Sequence, residues 1–408
     1  MTHISYHCSL FLPHQGGIET TVDAMSRYVI SRGDKADIVT KRYPETLSAR
    51  ENIRGIPINR YVMPWTVNKM SDLCFQLGVW YAEHSDVSII HAVGLRRPLP
   101  FLSVLLGGLF NIPVVLSACG TDVPANRDAA SLKTWSEGQE YMTIAVTTAG
   151  ALTAVSKDTQ EDLYRAVPAI RGLSKVIHCG VDVNDLDQAK PYHPSNFSGP
   201  FILSLRRLEP DKGIDVLLQA MRLLIDKHGD RTPHLVIAGD GSSKRQLVQQ
   251  ASMLRIMPWV HFIGTVPHNI GMGLLKVASV CVVPSLVEGG GLVNTEANTL
   301  GCPIVASDVG GIREYVSPEA SILVPPLNPS ALADGIEQYL SSSSKLRRAK
   351  IAGREFGCER DWSNIFPQYE KVYQSALAPC LDRVIQQFPQ AQDLADSMIQ
   401  GKNRSERS

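Results

Sequence analysis

Short runs dense in branched aliphatic residues alternate along this chain with longer stretches whose apolar residues recur every three or four positions. His3–Leu10 reads as a strand. Ile18–Ser31 carries apolar side chains at Ile18, Val22, Met25 and Val29, the period of a helix, and Asp37–Thr40 is strand-like again. SDVSIIHA, PVVLSA, ALTAVS and KVIHCGV follow, separated by helical stretches. Such alternation predicts a parallel sheet covered by helices on both faces. At 187–199, DQAKPYHPSNFSG, the pattern stops in a polar, proline-containing stretch with the composition of a domain linker. It then restarts: FILSL, helix 213–228, HLVIAG, helix 243–254, HFIGTV, helix 270–278, SVCVVPS, helix 293–300, PIVAS and SILVPP. After Ala331 the pattern is helical to about Ala378, and a polar tail, 385–408, is expected to fray. The expected fold class is α/β, with two doubly wound Rossmann-like domains, 1–187 and 198–361, facing across a cleft.

Length agrees, since 408 residues are too many for one ordinary core. Apolar content of 44% and charged content of 20% describe a globular chain rather than a disordered one. The formal net charge is zero, so no global field attracts nucleic acid or an anionic membrane, and any anionic ligand must be held by a local site. The eight cysteines form no CxxC pair and no metal-like spacing with histidine; the expectation is reduced thiols in a cytoplasmic protein without structural zinc. The N-terminus lacks the features of a signal peptide. The most apolar segment, 100–118, is broken by Asn111 and Pro113 and reads as a helix and a strand rather than one membrane span. Arg96-Arg97 before PLPFLSVLLGGLF leaves two readings for that helix: an amphipathic contact with the inner face of a membrane, or a helix covering the first sheet.

Candidate chemistry concentrates in PSLVEGGGLVNTEANTLGCPIVASDVGGIREYV, 284–316. VCVVPS is a buried-type strand, EGGG its exit loop, and Leu292–Leu300 a short helix that Gly301 is placed to end. Glycines let a ligand approach the backbone, and a helix N-terminus offers unpaired N–H groups to an anion such as a diphosphate. A plain strand-to-helix turn needs one glycine, not three. Carboxylates beside a phosphate site should bond hydroxyls: Glu296 suits a ribose and Glu288 whatever the diphosphate carries. Taken alone, Glu296 is better explained by complementing a helix dipole. In FILSLRRLEPDKGIDVLLQAM, Arg207 and Lys212 are placed to clamp the diphosphate, against the alternative of a solvated loop pairing with Glu209 and Asp211. Gly16-Gly17 marks a tight turn between the first strand and first helix. AGDGSS, 238–243, lacks the third glycine and the ribose acid of a dinucleotide fingerprint, so NAD is not expected.

Taken in order, these motifs resemble the retaining nucleotide-sugar glycosyltransferases of the GT-B fold, family 4. The resemblance is carried by Gly16-Gly17, the R-L-x-x-x-K-G cluster (Arg207, Lys212, Gly213), AGDG (238–241), FIGTV (262–266), E-x7-E (Glu288, Glu296) and GCPIVASDVGGIREYV, from near the N-terminus to about residue 378. It implies a donor-binding C-terminal half and an acceptor-binding N-terminal half onto which a late segment, 362–384, crosses back. Arg207, Lys212 and Glu288 would act on the reacting donor. Gly17 and the backbone of Gly290, Gly291 and Leu292 would join them at the diphosphate, with Glu296 at the ribose, Glu288 at the transferred sugar and Val266 at the base. The resemblance implies no metal and no cofactor beyond the nucleotide-sugar co-substrate, with a hydroxyl acceptor as the second partner. Cys119 stands where many relatives have histidine on the acceptor side, and its neighbour Asp122 is either an acceptor contact or a turn former. Gly290 stands where an aromatic is usual, implying a more open sugar pocket, and Asn294 replaces a commoner apolar residue. No carboxylate pair is arranged as in glycosidases, so a front-face, oxocarbenium-like transfer with retention is expected. The rival readings are a nucleotide-sugar epimerase on the same scaffold and a non-catalytic nucleotide-sugar-binding protein.

Overall fold

The first apolar run becomes β1 (His3–Cys8), buried along its whole length, and the helical period after it becomes α1 (Gly17–Ser31). There follow β2 (Lys35–Lys41), β3 (Arg50–Ile53), β4 (Ile56–Tyr61), α2 (Ser71–Glu83), β5 (Ile89–Val93), α3 (Leu99–Phe110), β6 (Val114–Ala118), α4 (Gln139–Thr148), β7 (Ala151–Ala154), α5 (Lys157–Ala166) and β8 (Ser174–Val176). The computed structural model describes residues 1–64, 69–96, 98–123, 139–194 and 199–407. The first sheet has the order β3-β4-β2-β1-β5-β6-β7-β8, parallel except for the β3–β4 hairpin. That hairpin escapes a reading by apolar pattern because β3, Arg-Glu-Asn-Ile, is polar and largely exposed. Its signal is Arg54-Gly55, both at positive φ (55° and 85°), as a two-residue type I′ turn requires.

The second series is α6 (Val183–Gln188), β9 (Phe201–Leu205), α7 (Ile214–His228), β10 (His234–Ala238), α8 (Lys244–Met253), β11 (Val260–Gly264), α9 (His268–Val277), β12 (Val280–Val283), α10 (Leu292–Thr299), β13 (Ile304–Ser307), α11 (Ile312–Tyr315), β14 (Ser321–Val324), α12 (Pro329–Leu340) and α13 (Ser343–Cys358). Its sheet, β11-β10-β9-β12-β13-β14, is parallel throughout. Alternate strand residues supply two cores: Ile202, Leu235, Ile237 and Val282 on one face, Phe201, Leu203, Val236 and Cys281 on the other. This accounts for the unbroken apolar runs in the sequence.

The chain divides into Met1–Ile177 with Ile365–Ser408, and His178–Asn364. The second unit thus begins at His178, not at the polar stretch 187–199. Val181 and Leu186 are buried with Phe201 and Leu203, Trp362 N–H donates to the Val181 carbonyl at 3.1 Å, and Tyr192 N–H donates to Gly273 at 3.1 Å. Residues 195–198 of the expected linker lie outside the described residues.

The C-terminal segment corrects two expectations together. After α14 (Trp362–Ser375) come α15 (Leu381–Gln387) and α16 (Ala391–Ser405), so the tail is folded rather than frayed. Val384, Leu394 and Met398 are fully buried. α16 packs on α2 where each helix has a glycine: a Cβ on Gly78 would lie 2.1 Å from the Met398 carbonyl oxygen, and one on Gly401 2.2 Å from that of Phe75. These helices cover α3, whose residues from Leu99 to Gly107 are all buried. The Phe388 ring meets Phe101 edge-on at 5.6 Å, and the Lys402 ammonium lies over Phe110 at 5.3 Å. The apolar face that suggested membrane contact is therefore occupied by the chain's own C-terminus; Arg97 lies outside the described residues. Among the described residues no helix is long and apolar enough to cross a membrane. α14 is pinned by its aromatic residues, with the Tyr373 hydroxyl 2.8 Å from His91 Nδ1 and Ser117 Oγ 2.7 Å from His91 Nε2. Burial pushes His91 down to about 3, so the imidazole is neutral.

Ending the chain after Ala378 should expose α2 and α3 and forfeit roughly 2 kcal/mol for each large side chain uncovered. The shortened protein should aggregate or sediment with lipid vesicles, while the full chain does neither. An unchanged unfolding midpoint and a monodisperse shortened protein would contradict this packing argument.

Candidate active site

In the second sheet, β9 lies between β10 and β12: the chain steps outward through β10 and β11, then returns past β9 to β12, so the strand order reverses there. Open α/β sheets bind ligands beyond the carboxyl ends of their strands at such a reversal. The two loops that leave it, 206–213 after β9 and 284–291 after β12, carry most of the residues singled out by sequence. They are joined backbone to backbone. Gly213 has φ +64°, and a Cβ there would be 1.9 Å from the Pro284 carbonyl oxygen, so only glycine permits the approach.

That apposition brings Lys212 onto Glu288. Lys212 is buried, its Nζ 3.3 Å from Glu288 Oε2, 3.4 Å from the Val287 carbonyl and 3.1 Å from Asp211 Oδ2. The same Oε2 accepts from Ser285 Oγ at 3.2 Å and from Arg206 Nη2 at 3.0 Å. Arg206 Nη2 also donates to Ser285 Oγ at 2.6 Å. Burial acts to push the Glu288 carboxyl up, but the charges of Lys212 and Arg206 outweigh it and hold the group below the usual carboxylate range. Glu288 is therefore an anion at neutral pH, and its Oε1 makes no hydrogen bond among the described residues. The expected pair of cations is divided: Lys212 joins the carboxylate, while Arg207 is exposed at the loop surface. Arg206, passed over by the motif, supplies the second buried charge.

The glycine run leads into α10. Gly291 precedes its first turn with φ +83°, Leu292 opens the helix, and the buried Asn294 amide donates to the Gly290 carbonyl at 2.9 Å. Asn294 thus braces the loop. Gly290 does not open the pocket. A Cβ there would lie 2.3 Å from a Tyr315 ring carbon, so the fully buried tyrosine of α11 fills the space that a larger side chain at 290 would take. The Tyr315 hydroxyl accepts from Cys179 N–H at 2.8 Å.

Glu296, buried on α10, pairs with His268 Nε2 at 2.7 Å. His268 opens α9 two residues after Val266, itself partly buried against the core face formed by β9 and β10. The motif reading singled out Glu296 and Val266 but not His268, which stands directly after FIGTV-Pro.

Gly17, Cys119 and Asp122 belong to the first unit. Gly17 opens α1, and among the described residues nothing lies within 4 Å of where its Cβ would be. Asp122 is fully buried and engaged by backbone: Leu95 N–H donates at 2.7 Å, and Cys119 N–H to both oxygens at 2.8 and 3.0 Å. It ties the β5 and β6 exit loops together, so of its two readings the turn former is the one the geometry carries. Cys119, partly exposed, follows β6 with its Sγ 3.7 Å from the Ser117 carbonyl.

The exchange between 290 and 315 is testable as a double-mutant cycle. Gly290→Phe alone should overpack the loop and cost about 1–3 kcal/mol. Tyr315→Val alone should leave a cavity. Combined, they should be more stable than the sum of the two losses by about 1 kcal/mol or more in denaturant unfolding. Simple additivity would sink the steric account.

Comparison with known families matches residues 15–185 to "Glycosyltransferase Family 4" and residues 187–356 to "Glycosyl transferases group 1". A glycosyltransferase of Methanocaldococcus jannaschii is 26% identical over 385 residues, spanning 89% of this chain and 95% of its own. Among solved structures, sucrose-phosphate synthase from Thermosynechococcus elongatus superposes with a TM-score of 0.72 at 21% identity, covering 92% of this chain and 98% of that one. HepE from Anabaena, in complex with UDP-glucose, gives 0.70 at 20% identity, covering 92% and 100%. The fold is GT-B. With the two family matches together spanning most of residues 15–356, the chain belongs to glycosyltransferase family 4.

Proposed function

We propose that the protein moves a hexosyl group from a nucleoside-diphosphate sugar to a hydroxyl acceptor with retention of configuration, without a metal or other cofactor. One observation carries this reading: Lys212, the Glu288 carboxylate, the glycine run and the start of α10 converge on the exit loops of β9 and β12, the reversal point of the second sheet. The presence of UDP-glucose on the similarly folded HepE supports a nucleotide-sugar as donor. A uridine or guanosine diphosphate sugar is the donor class to test first.

In this reading the diphosphate lies at the N-terminus of α10, where unpaired N–H groups and the helix dipole meet its charge. Lys212 and the exposed Arg207 close on it as the sugar–oxygen bond breaks and negative charge grows on the leaving group. Glu288 Oε1 accepts from a sugar hydroxyl. Glu296 exchanges His268 for the ribose hydroxyls, and backbone at Val266 meets the base. The acceptor hydroxyl attacks from the face the diphosphate leaves, so the departing group takes up its proton and configuration is kept. The acceptor is assigned to the first unit, with Cys119 beside it. The protein is placed in the cytoplasm on this reading.

Lys212→Ala and Arg207→Ala should each lower turnover by ~100–1,000-fold, the usual cost of losing one preorganised contact to developing charge. Arg207→Ala should leave the thermal midpoint unchanged, because that side chain is already in solvent. The assay is release of nucleoside diphosphate from UDP-, GDP- and ADP-sugars, with and without hydroxyl acceptors, and product anomers assigned by NMR. Wild-type turnover in both variants would remove the proposed roles. Sugar conversion without any acceptor would instead identify an epimerase, and binding without turnover a non-catalytic protein.

A further inference from the structure

We infer that Arg206 is a positioning residue for the donor sugar: from beneath Glu288 it holds that carboxylate by Oε2, so that Oε1 is the oxygen presented to the sugar. This inference rests on the donor site proposed above and extends it to a residue outside the family motif.

Adjacent arginines leave β9 in different environments. Arg207 is exposed, whereas the Arg206 side chain is 6% exposed. The Arg206 Nη2 group bridges Ser285 Oγ and Glu288 Oε2 at 2.6 and 3.0 Å. Oε2 thus receives Arg206, Lys212 and Ser285 together. With three donors on one oxygen, the carboxylate cannot rotate without breaking all of them, and Oε1 keeps its accepting capacity. The groups on Glu288 are Arg206 after β9, Lys212 before α7, which also pairs with Asp211, and Ser285 after β12. From α11, Tyr315 packs on the neighbouring Gly290.

Arg206 is not explained by packing. Its Nε and Nη1 are buried without a hydrogen-bond partner among the described residues. Buried donors are nearly always bonded, and an apolar side chain would fill the same space without leaving two of them unsatisfied. The one group of the guanidinium that is bonded, Nη2, is the one that fixes Glu288.

A positioning role separates sugar recognition from nucleotide recognition. Titration calorimetry should compare UDP with UDP-glucose, and GDP with GDP-mannose, on the full chain across the acid pH range. Arg206→Gln should leave nucleoside-diphosphate affinity within about twofold and weaken the nucleotide-sugar by about tenfold. It should also move the acid limb of nucleotide-sugar binding upward by about one pH unit. The sign follows from removing a cation: Glu288 then takes its proton at higher pH, and the protonated form no longer holds the sugar in the same way. Arg206→Lys keeps the charge but reaches fewer partners, so it should recover most of the pH limb and only part of the affinity; it also carries the test if the glutamine variant does not fold. Equal loss of both ligands with no pH displacement would make Arg206 merely structural and overturn the inference, as would unaltered nucleotide-sugar binding. Failure of the wild-type protein to bind any of the four compounds would overturn the donor site itself, a result distinguishable because it appears before any substitution.

Discussion

A carboxylate taken out of water between two cations is the constraint on which the second unit's chemistry depends. Glu288 is stable as an anion only because Lys212 and Arg206 reach it, and they reach it only because Gly213 lets the β9 and β12 exits touch. Losing one partner of such a cluster leaves an uncompensated buried charge, typically costing about 3–5 kcal/mol, so geometry and ionisation are coupled. The glycine that looks like part of a phosphate motif is thus required first by the protein's own backbone. A ligand arriving at these loops meets a charge arrangement already assembled, which is the condition under which electrostatic stabilisation costs no reorganisation during reaction.

The first unit uses a carboxylate differently. Asp122 is buried, and both its oxygens accept backbone N–H groups from the β5 and β6 exits. Glu288 concentrates its partners on one oxygen and spares the other. The contrast gives a physical criterion for separating a structural acid from one available to a ligand: burial alone does not decide, but the distribution of donors over the two oxygens does.

Much of this was legible in the sequence because parallel sheets write themselves as unbroken apolar runs, and because glycine-rich exits and paired acids keep fixed spacing. The strands of the second unit fall where their runs fall. What the sequence concealed depends on contacts between distant residues. Gly290 alone suggests an open pocket, and only the packing of Tyr315, twenty-five positions on, shows the space refilled. The α3 segment alone reads as a candidate lipid contact and the tail alone as polar and frayed. Each is locally fair, yet Val384, Phe388, Leu394 and Met398 are spaced to form the apolar stripe that α3 needs. A short amphipathic helix in a polar tail is easily overlooked, because its few apolar residues matter only against a partner.

The choice between the two arginines shows what kind of reasoning would have recovered the missing residue. Motif spacing from Lys212 favours Arg207. Strand parity points the other way. Residues along β9 alternate faces: Phe201 and Leu203 pack with β10 and β12 residues on one side, Ile202 on the other, and Ser204 on that second side bonds the Val282 carbonyl toward β12. Continued two positions further, the same parity takes Arg206 toward the β12 exit, where Ser285 and Glu288 lie, and leaves Arg207 free to extend outward. The two readings are complementary rather than opposed. In a chain with no net charge any anion site has to be built locally, and adjacent arginines on alternating faces leave one cation buried against Ser285 and Glu288 and the other in solvent.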